Sequence, residues 1–174
     1  MSKSKKPKYY DAWPTAWGPM GALAADEGIT GVILPHYQMD DLLALMAWNH
    51  QDARRDSGPF ERFAAHSREY FSGSKPDFRE VTVDLPGENT FFGKVYRAAR
   101  EIPYGQTISY KGLAMEIGQE QAARAIATAM SKNPTPLVVP CHRVIYSNGR
   151  PGGFSAAGGE DLKQRMIAFE AKHS

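Results

Sequence analysis

Cys141 is the only cysteine among 174 residues, and His142 follows it directly. One thiol forms no intramolecular disulfide and builds no thiolate-rich zinc site, so whatever Cys141 does, it does singly. A thiol reacts as its thiolate, and an ordinary thiol is sparingly ionised at neutral pH unless a base or a cation assists it. His142 is the candidate base. Adjacent residues of an extended segment face opposite ways, so direct contact between the two side chains is not assured, and a bridging water is the alternative. A third group then has to orient the histidine. The last helical pattern, Glu160 to about Lys172, sets Leu162, Met166 and Phe169 on its core face with Glu170 beside them, which offers a carboxylate. A lone cysteine among apolar residues is more often an inert core residue. Here its neighbours argue otherwise: Pro134, Pro136 and Pro140 fix a rigid extended approach to it. Val144, Ile145 and Tyr146 then form a short strand that ends at the turn pair Asn148-Gly149.

The elements that must position this pair lie upstream. Thr90 caps a helix carrying Phe91, Phe92, Val95, Tyr96 and Ala99, which stops before Pro103-Tyr104-Gly105. Ser109 caps a short helix, YKGLAMEI, ended by Gly118, and QEQAARAIATAM forms a second one. Length and the central glycine make the pair a helix-turn-helix. Ala122, Ala123, Ala125, Ala127 and Ala129 populate more than one face of the second helix. Small side chains let a backbone approach another body closely, most often a packed helix and alternatively the floor of a DNA groove. Arg124, the one long cation among them, has five donors and a plane that stacks on a base; an exposed, solvated arginine is the plainer reading.

The first half carries no catalytic cluster. Trp17 to Leu34 holds two apolar runs around Asp26-Glu27-Gly28, a hairpin signal. Helical spacing recurs from Met39 (Leu42, Leu43, Met46) and again after Gly58-Pro59 (Phe60, Phe63, Ala64, Phe71). Val81, Val83 and Leu85 alternate with polar residues as a further strand, ended by Pro86-Gly87. His36, His50 and His66 show no ligand spacing and read as surface or core histidines. The fold class is α+β. A small α/β unit spans 1–85, with Lys3, Lys5, Lys6 and Lys8 in a solvated tail over 1–10, and a mostly helical unit spans 86–174.

Composition sets further bounds. With 42% hydrophobic and 23% charged residues, the chain buries its own core as one domain or two small ones. No apolar run approaches the roughly 20 residues of a membrane span, and MSKSKKPKYY lacks a signal-peptide run, so a soluble, cytoplasmic protein without membrane contact is expected. The net charge of +2 conceals an asymmetry: residues 1–84 hold 10 Lys and Arg against 12 Asp and Glu, residues 85–174 hold 11 against 7. A basic second half is compatible with nucleic acid without requiring it.

In order and spacing, IPYGQTISY, AARAIATAM, the SKNP turn and PCHRVI resemble the methylated-DNA–protein-cysteine methyltransferases, or O6-alkylguanine-DNA alkyltransferases, from about Phe91 to Glu170. The first 85 residues agree with that family only in coarse α/β pattern, which implies a ribonuclease H-like unit. The resemblance implies that the helix-turn-helix enters the minor groove of double-stranded DNA containing O6-alkylguanine. It gives Arg124 as the finger that fills the space of a flipped nucleotide, and Tyr110 as the hydroxyl that assists rotation and bonds the flipped guanine. Asn133 ties the second helix to the active-site segment, and Ala122, Ala123, Ala125, Ala127 and Met130 complete the DNA- and substrate-facing set. Cys141 is the nucleophile, His142 its base through a water, and Glu170 the orienting carboxylate. Backbone groups near Val144 and Ser155 stabilise the departing guanine anion, and Lys163 matches a lysine near the site. The alkyl group passes irreversibly to Cys141, once per chain, in a monomer and without a cofactor. Two departures stand out. The loop Phe154–Gly159 is about two residues longer than is usual, and the cysteine and histidine cluster that binds structural zinc in some members is missing, so no zinc is expected.

Three alternatives remain. An alkyltransferase-like sensor binds and flips the damaged base without transfer, but carries another residue in place of the cysteine. A helix-turn-helix transcription regulator leaves the proline-framed PCHRV unexplained. A cysteine hydrolase turns over many equivalents, whereas a repair protein loses its thiol after one.

Overall fold

The computed structural model describes residues 6–174. Lys3 and Lys5 of the expected tail lie outside them. The chain divides into two compact units, one ending at Asp84 and the other beginning at Leu85. Each is described by itself.

The first unit is built on a four-stranded sheet in the order β3-β2-β1-β4. Strands β1 (Tyr9–Thr15), β2 (Gly18–Ala25) and β3 (Gly28–Ile33) form an antiparallel meander, and β4 (Arg54–Arg55) pairs parallel with Tyr9 and Tyr10. The β2–β3 hairpin turns at Asp26-Glu27, as the sequence predicts. Strand β1 was not expected: its lysine-rich approach and Pro14 both read against a strand. Pro14 is tolerated because β4 covers the outer edge of β1 only at Tyr9 and Tyr10. Tyr9 and Tyr10, assigned to the tail by the sequence reading, are therefore sheet residues.

Helix α1 (Met39–Asn49) lays Leu42 and Met46 against Ala12 of β1. Met46 packs close over Gly21: a Cβ there would lie 2.9 Å from its Cε, and the methionine tip would have to shift to admit it. Helix α2 (Glu61–Phe71) is tied to β1 by a buried bond from Trp13 Nε1 to Ser67 Oγ, 2.7 Å. The strand expected over Val81–Leu85 is corrected to a single parallel bridge, Ile29 to Val83. Ile29 N donates to Thr82 O and Asp84 N to Ile29 O, but Leu85 already packs in the core of the second unit, and Pro86 has no N–H to extend a ladder.

The second unit is mostly helical. Helix α3 (Phe91–Arg100) starts at Thr90, whose Oγ1 accepts from Gly93 N at 3.0 Å. Helix α4 (Tyr110–Glu116) starts at Ser109, whose Oγ accepts from Gly112 N at 2.9 Å. Gly118 ends it with φ 68°, a conformation that costs glycine little. Helix α5 (Ala123–Ser131) begins four residues later than the alanine-rich pattern suggests, because Ala122 N bonds Gln119 O and closes a turn over 119–122. Helix α6 (Gly159–His173) completes the unit. Val95, Tyr96 and Ala99 of α3, Leu113 and Ala114 of α4, and Ile126, Ala129 and Met130 of α5 share one buried cluster that also contains Cys141 and Val144. Strands β5 (Ile108–Ser109) and β6 (Val144–Ile145) pair in parallel, Ile108 opposite Val144. That short ladder sets the first residue of α4, Tyr110, beside the segment leaving Cys141. Among the described residues, no helix is long and apolar enough to cross a membrane.

Candidate active site

The approach to Cys141 is a coil of tight turns rather than the extended segment that three prolines suggest. Val139 N bonds Thr135 O at 2.9 Å, and Leu137 at its centre takes φ 75° while buried, an uncommon conformation for a branched side chain. Pro140, at φ −78° and ψ 65°, centres an inverse γ-turn closed by Cys141 N to Val139 O at 2.8 Å. The prolines supply fixed φ angles, as anticipated, but to turns. Cys141–Arg143 is then one turn of 3-10 helix, in which successive side chains fan about 120° apart. Cys141 and His142 therefore face different ways, while His142 and Arg143 both reach Glu170.

Cys141 is 1% exposed. Its Sγ accepts a hydrogen bond from Asn133 Nδ2 at 3.1 Å and lies 3.9 Å from Ser155 Oγ. Burial pushes its pKa up; the Asn133 and Ser155 bonds and the Lys163 charge pull in the opposite direction. Asn133 sits just past the end of α5, and its amide also donates to Val139 O at 2.8 Å while its Oδ1 accepts from Thr135 N at 3.0 Å. One side chain thus joins α5, the turn and the sulfur.

His142 is fully buried, with Nε2 2.6 Å from Glu170 Oε1. Its Nδ1 has no hydrogen-bond partner among the described residues. A carboxylate on Nε2 selects the tautomer with the proton there, so Nδ1 carries the lone pair. Burial holds the imidazole below its ordinary pKa, although Glu170 pulls it up. Burial would raise the Glu170 carboxyl, but His142 and Arg143 more than offset it and hold the group well below the usual carboxylate range.

Arg143 was not singled out from the sequence, yet it holds both oxygens of Glu170 alongside His142. Its Nε donates to Oε2 at 2.9 Å, its Nη2 to Oε1 at 3.0 Å, and its Nη1 to Ile102 O at 2.7 Å. Gly105 N adds a bond to Oε2 at 3.0 Å, and the guanidinium lies over the Tyr104 ring. A charged residue inside an otherwise apolar VVPCHRVI run was the available signal, since a buried arginine needs a partner.

Lys163 is also fully buried. Its Nζ donates to Val144 O at 2.7 Å, to Tyr110 Oη at 3.3 Å and to Gly153 O at 3.3 Å, which uses all three donors. Burial lowers its pKa to about 8, against the pull of Cys141 and Glu160. Tyr110, pushed up to about 12 chiefly by burial, reaches Pro151 O at 3.4 Å. The loop over 151–153 closes on it so tightly that a Cβ on Gly152 would sit 2.4 Å from Oη.

The predicted residues fall into three hydrogen-bonded sets around the turn at 141–143: Cys141 with Asn133 and the half-buried Ser155, His142 with Glu170, and Lys163 with Tyr110 and Val144 O. Of the residues expected to face DNA, Arg124 and Ala125 are exposed, and Ala122, Ala123 and Ala127 are half-buried. Met130 departs from that set: it is 1% exposed, because the inner stripe of α5 turns it into the core with Ile126 and Ala129.

The family model described as "6-O-methylguanine DNA methyltransferase, DNA binding domain" matches residues 90–172. The methylated-DNA–protein-cysteine methyltransferase of Mycolicibacterium paratuberculosis is 41% identical over 71% of this chain and 70% of its own length. A DNA base-flipping protein of Thermus thermophilus is 41% identical over 58% of this chain and 66% of its own. The crystal structure of the Mycobacterium tuberculosis protein OGT in complex with DNA superposes with a TM-score of 0.76 at 27% identity, covering 95% of this chain and 94% of that one. With the thiol, the imidazole and the carboxylate in place, the chain belongs to the methylated-DNA–protein-cysteine methyltransferase family.

Proposed function

We propose that this chain repairs DNA by moving the alkyl group of O6-alkylguanine onto Cys141, once and irreversibly. The observation that carries this reading is a buried thiol one residue from a buried histidine whose Nε2 is held by a carboxylate and whose Nδ1 is open.

The roles follow from the chemistry of each group. His142 Nδ1 takes the thiol proton, through a water, as thiolate forms. The thiolate attacks the alkyl carbon in line, the S–C bond forms as the C–O6 bond breaks, and guanine leaves as an anion. The Tyr110 hydroxyl, the backbone near Val144 and Ser155, and the Lys163 ammonium receive that charge in a site already arranged for it. Because Lys163 can only donate, the Tyr110 oxygen accepts from it, and the phenolic hydrogen is left for Pro151 O or for an incoming base.

We read α4 and α5 as a helix-turn-helix that lies along the minor groove, with the alanines as its thin outer face and Arg124 as the side chain that fills the vacated stack. The exposure of Arg124 and Ala125 supports that reading. The meander with its parallel edge strand supports a ribonuclease H-like first unit, and 86–90 would be the linker. DNA is then the partner, with the chain acting as a monomer. Presence of Cys141 favours transfer over mere sensing. The test is stoichiometry: aliquots of O6-methylguanine duplex added to the protein should abolish its titratable thiol after one equivalent, whereas a hydrolase would keep it.

A further inference from the structure

Arg143 carries no role in the transfer step as described, yet it is placed where it decides the charge of the base. The carboxylate of Glu170 is shared between two partners of different kinds: a permanent cation and a titratable imidazole. Arg143 grips both oxygens, through Nε to Oε2 at 2.9 Å and Nη2 to Oε1 at 3.0 Å, and the imidazole shares Oε1 at 2.6 Å. The third guanidinium contact, Nη1 to Ile102 O at 2.7 Å, and the Gly105 N–H on Oε2 anchor this fork to the turn after α3.

We propose that Arg143 is the positioning residue that keeps His142 neutral with its Nδ1 lone pair open, by supplying the positive charge that Glu170 would otherwise draw from the imidazole. In a buried site, one negative group demands about one positive group. With the guanidinium present, the pair Arg143–Glu170 is balanced, and the imidazole gains little from a proton. Without it, the nearest group able to balance Glu170 is His142, which would take up a proton from solvent at Nδ1 and cease to be a base. Burial is the largest influence against a proton on the imidazole; Glu170 from α6 favours one, and Arg143 from its own turn and Lys163 from α6 oppose it. Tyr104, from the turn after α3, faces Arg143 and Glu170 and stays neutral, held up mainly by burial. An arginine suits this task because it stays charged and offers a planar fork; a lysine offers one point contact.

The inference rests on the transfer reading for its kinetic arm and is independent of it for its spectroscopic arm. Imidazole nitrogen NMR of the wild-type protein should show His142 neutral, with its proton on Nε2, at neutral pH and on into the range where an ordinary histidine takes up its proton. A His142 imidazolium at pH 7 would overturn the proposal whether or not the protein repairs DNA. In Arg143→Met, and more weakly in Arg143→Lys, the acid limb of methyl transfer from O6-methylguanine duplex should move up by about one pH unit or more. Along that limb the variant's rate falls about tenfold for each pH unit lost and recovers fully when the pH is raised. A uniform loss at every pH, or an unmoved limb, would reduce Arg143 to a structural residue. If Arg143→Met does not fold, Arg143→Lys and the wild-type spectrum decide. Wild-type protein that takes up no methyl at any pH would fail the transfer reading and leave the histidine spectrum to judge Arg143.

Discussion

Asn133 Nδ2 lies 3.1 Å from Cys141 Sγ and 2.8 Å from Val139 O, so one amide both fixes the turn before the cysteine and solvates its sulfur. A buried thiolate has few other sources of stabilisation, and a neutral donor offsets part of the cost of burial without adding a charge. Asn133→Ala should therefore slow alkyl transfer by roughly 10- to 100-fold, the equivalent of about 1–3 kcal/mol. The same variant should lose about 1–3 kcal/mol of stability in urea from the orphaned Val139 carbonyl. Transfer kinetics beside an unfolding curve check both; a stable variant with wild-type kinetics would remove Asn133 from the account.

Glu170 accepts from His142, Arg143 and Gly105 while 2% exposed. Glu170→Gln keeps the shape and removes the charge, leaving the Arg143 guanidinium buried without its counter-ion. A loss of about 3–5 kcal/mol is expected for breaking a buried pair from one side. The sign with pH follows. The folded-state pKa of Glu170 is depressed, so its stabilisation is present above the ordinary carboxylate range and is lost as the pH falls below it. Urea unfolding should show the advantage of wild type over Glu170→Gln intact at pH 7, beginning to shrink near pH 4 and shrinking further as the pH is lowered beyond it.

Two neighbouring glycines should answer differently to a methyl group. At Gly152, φ is 75° and a Cβ would lie 2.4 Å from Tyr110 Oη; at Gly153 no atom lies within 4 Å. Gly152→Ala should displace the tyrosine hydroxyl and cost about 1 kcal/mol in backbone strain, with a fall in transfer rate. Gly153→Ala should leave rate and stability nearly unchanged. Equal effects would mean that the loop does not position Tyr110.

Lys163, lowered to about 8, gives a second pH signature. Between about pH 8 and the ordinary lysine range the unfolded chain holds a proton that the folded one has released, so stability contributed at this site rises with pH there. The wild type should gain up to about 3 kcal/mol on Lys163→Met between pH 7 and pH 10.5. A pH-independent difference would mean that the ammonium is not buried as the hydrogen bonds indicate.

Much of this site is legible in the sequence because its residues sit on short, strongly signalled elements. Thr90 and Ser109 cap α3 and α4 where expected, and the central glycine ends α4. Lys163 and Glu170 fall on one helix seven residues apart, and Cys141-His142 stand beside an Asn-Gly turn. What escaped notice depends on tertiary partners. β1 contains a proline whose harmlessness is visible only when β4 is seen to stop at Tyr10. Val83 looks like a strand residue, but its neighbours are claimed by other contacts. Arg143 shows in the sequence only as a charge in an apolar run; its partners Ile102 and Glu170 lie 27 to 41 residues away and are identified only by the fold. Met130 shares a helix with the alanines proposed to face DNA, and its place on the inner stripe puts it in the core.

Acceptance of the alkyl group by Cys141 itself is what separates repair from sensing. Intact-mass measurement after mixing the protein with a duplex bearing one O6-methylguanine tests it most directly, with undamaged duplex and Cys141→Ala as controls. One added methyl per chain, localised to Cys141 and absent from both controls, is the result expected. Tight, damage-selective binding with no change in mass would contradict it and leave a sensor of alkylated DNA in its place.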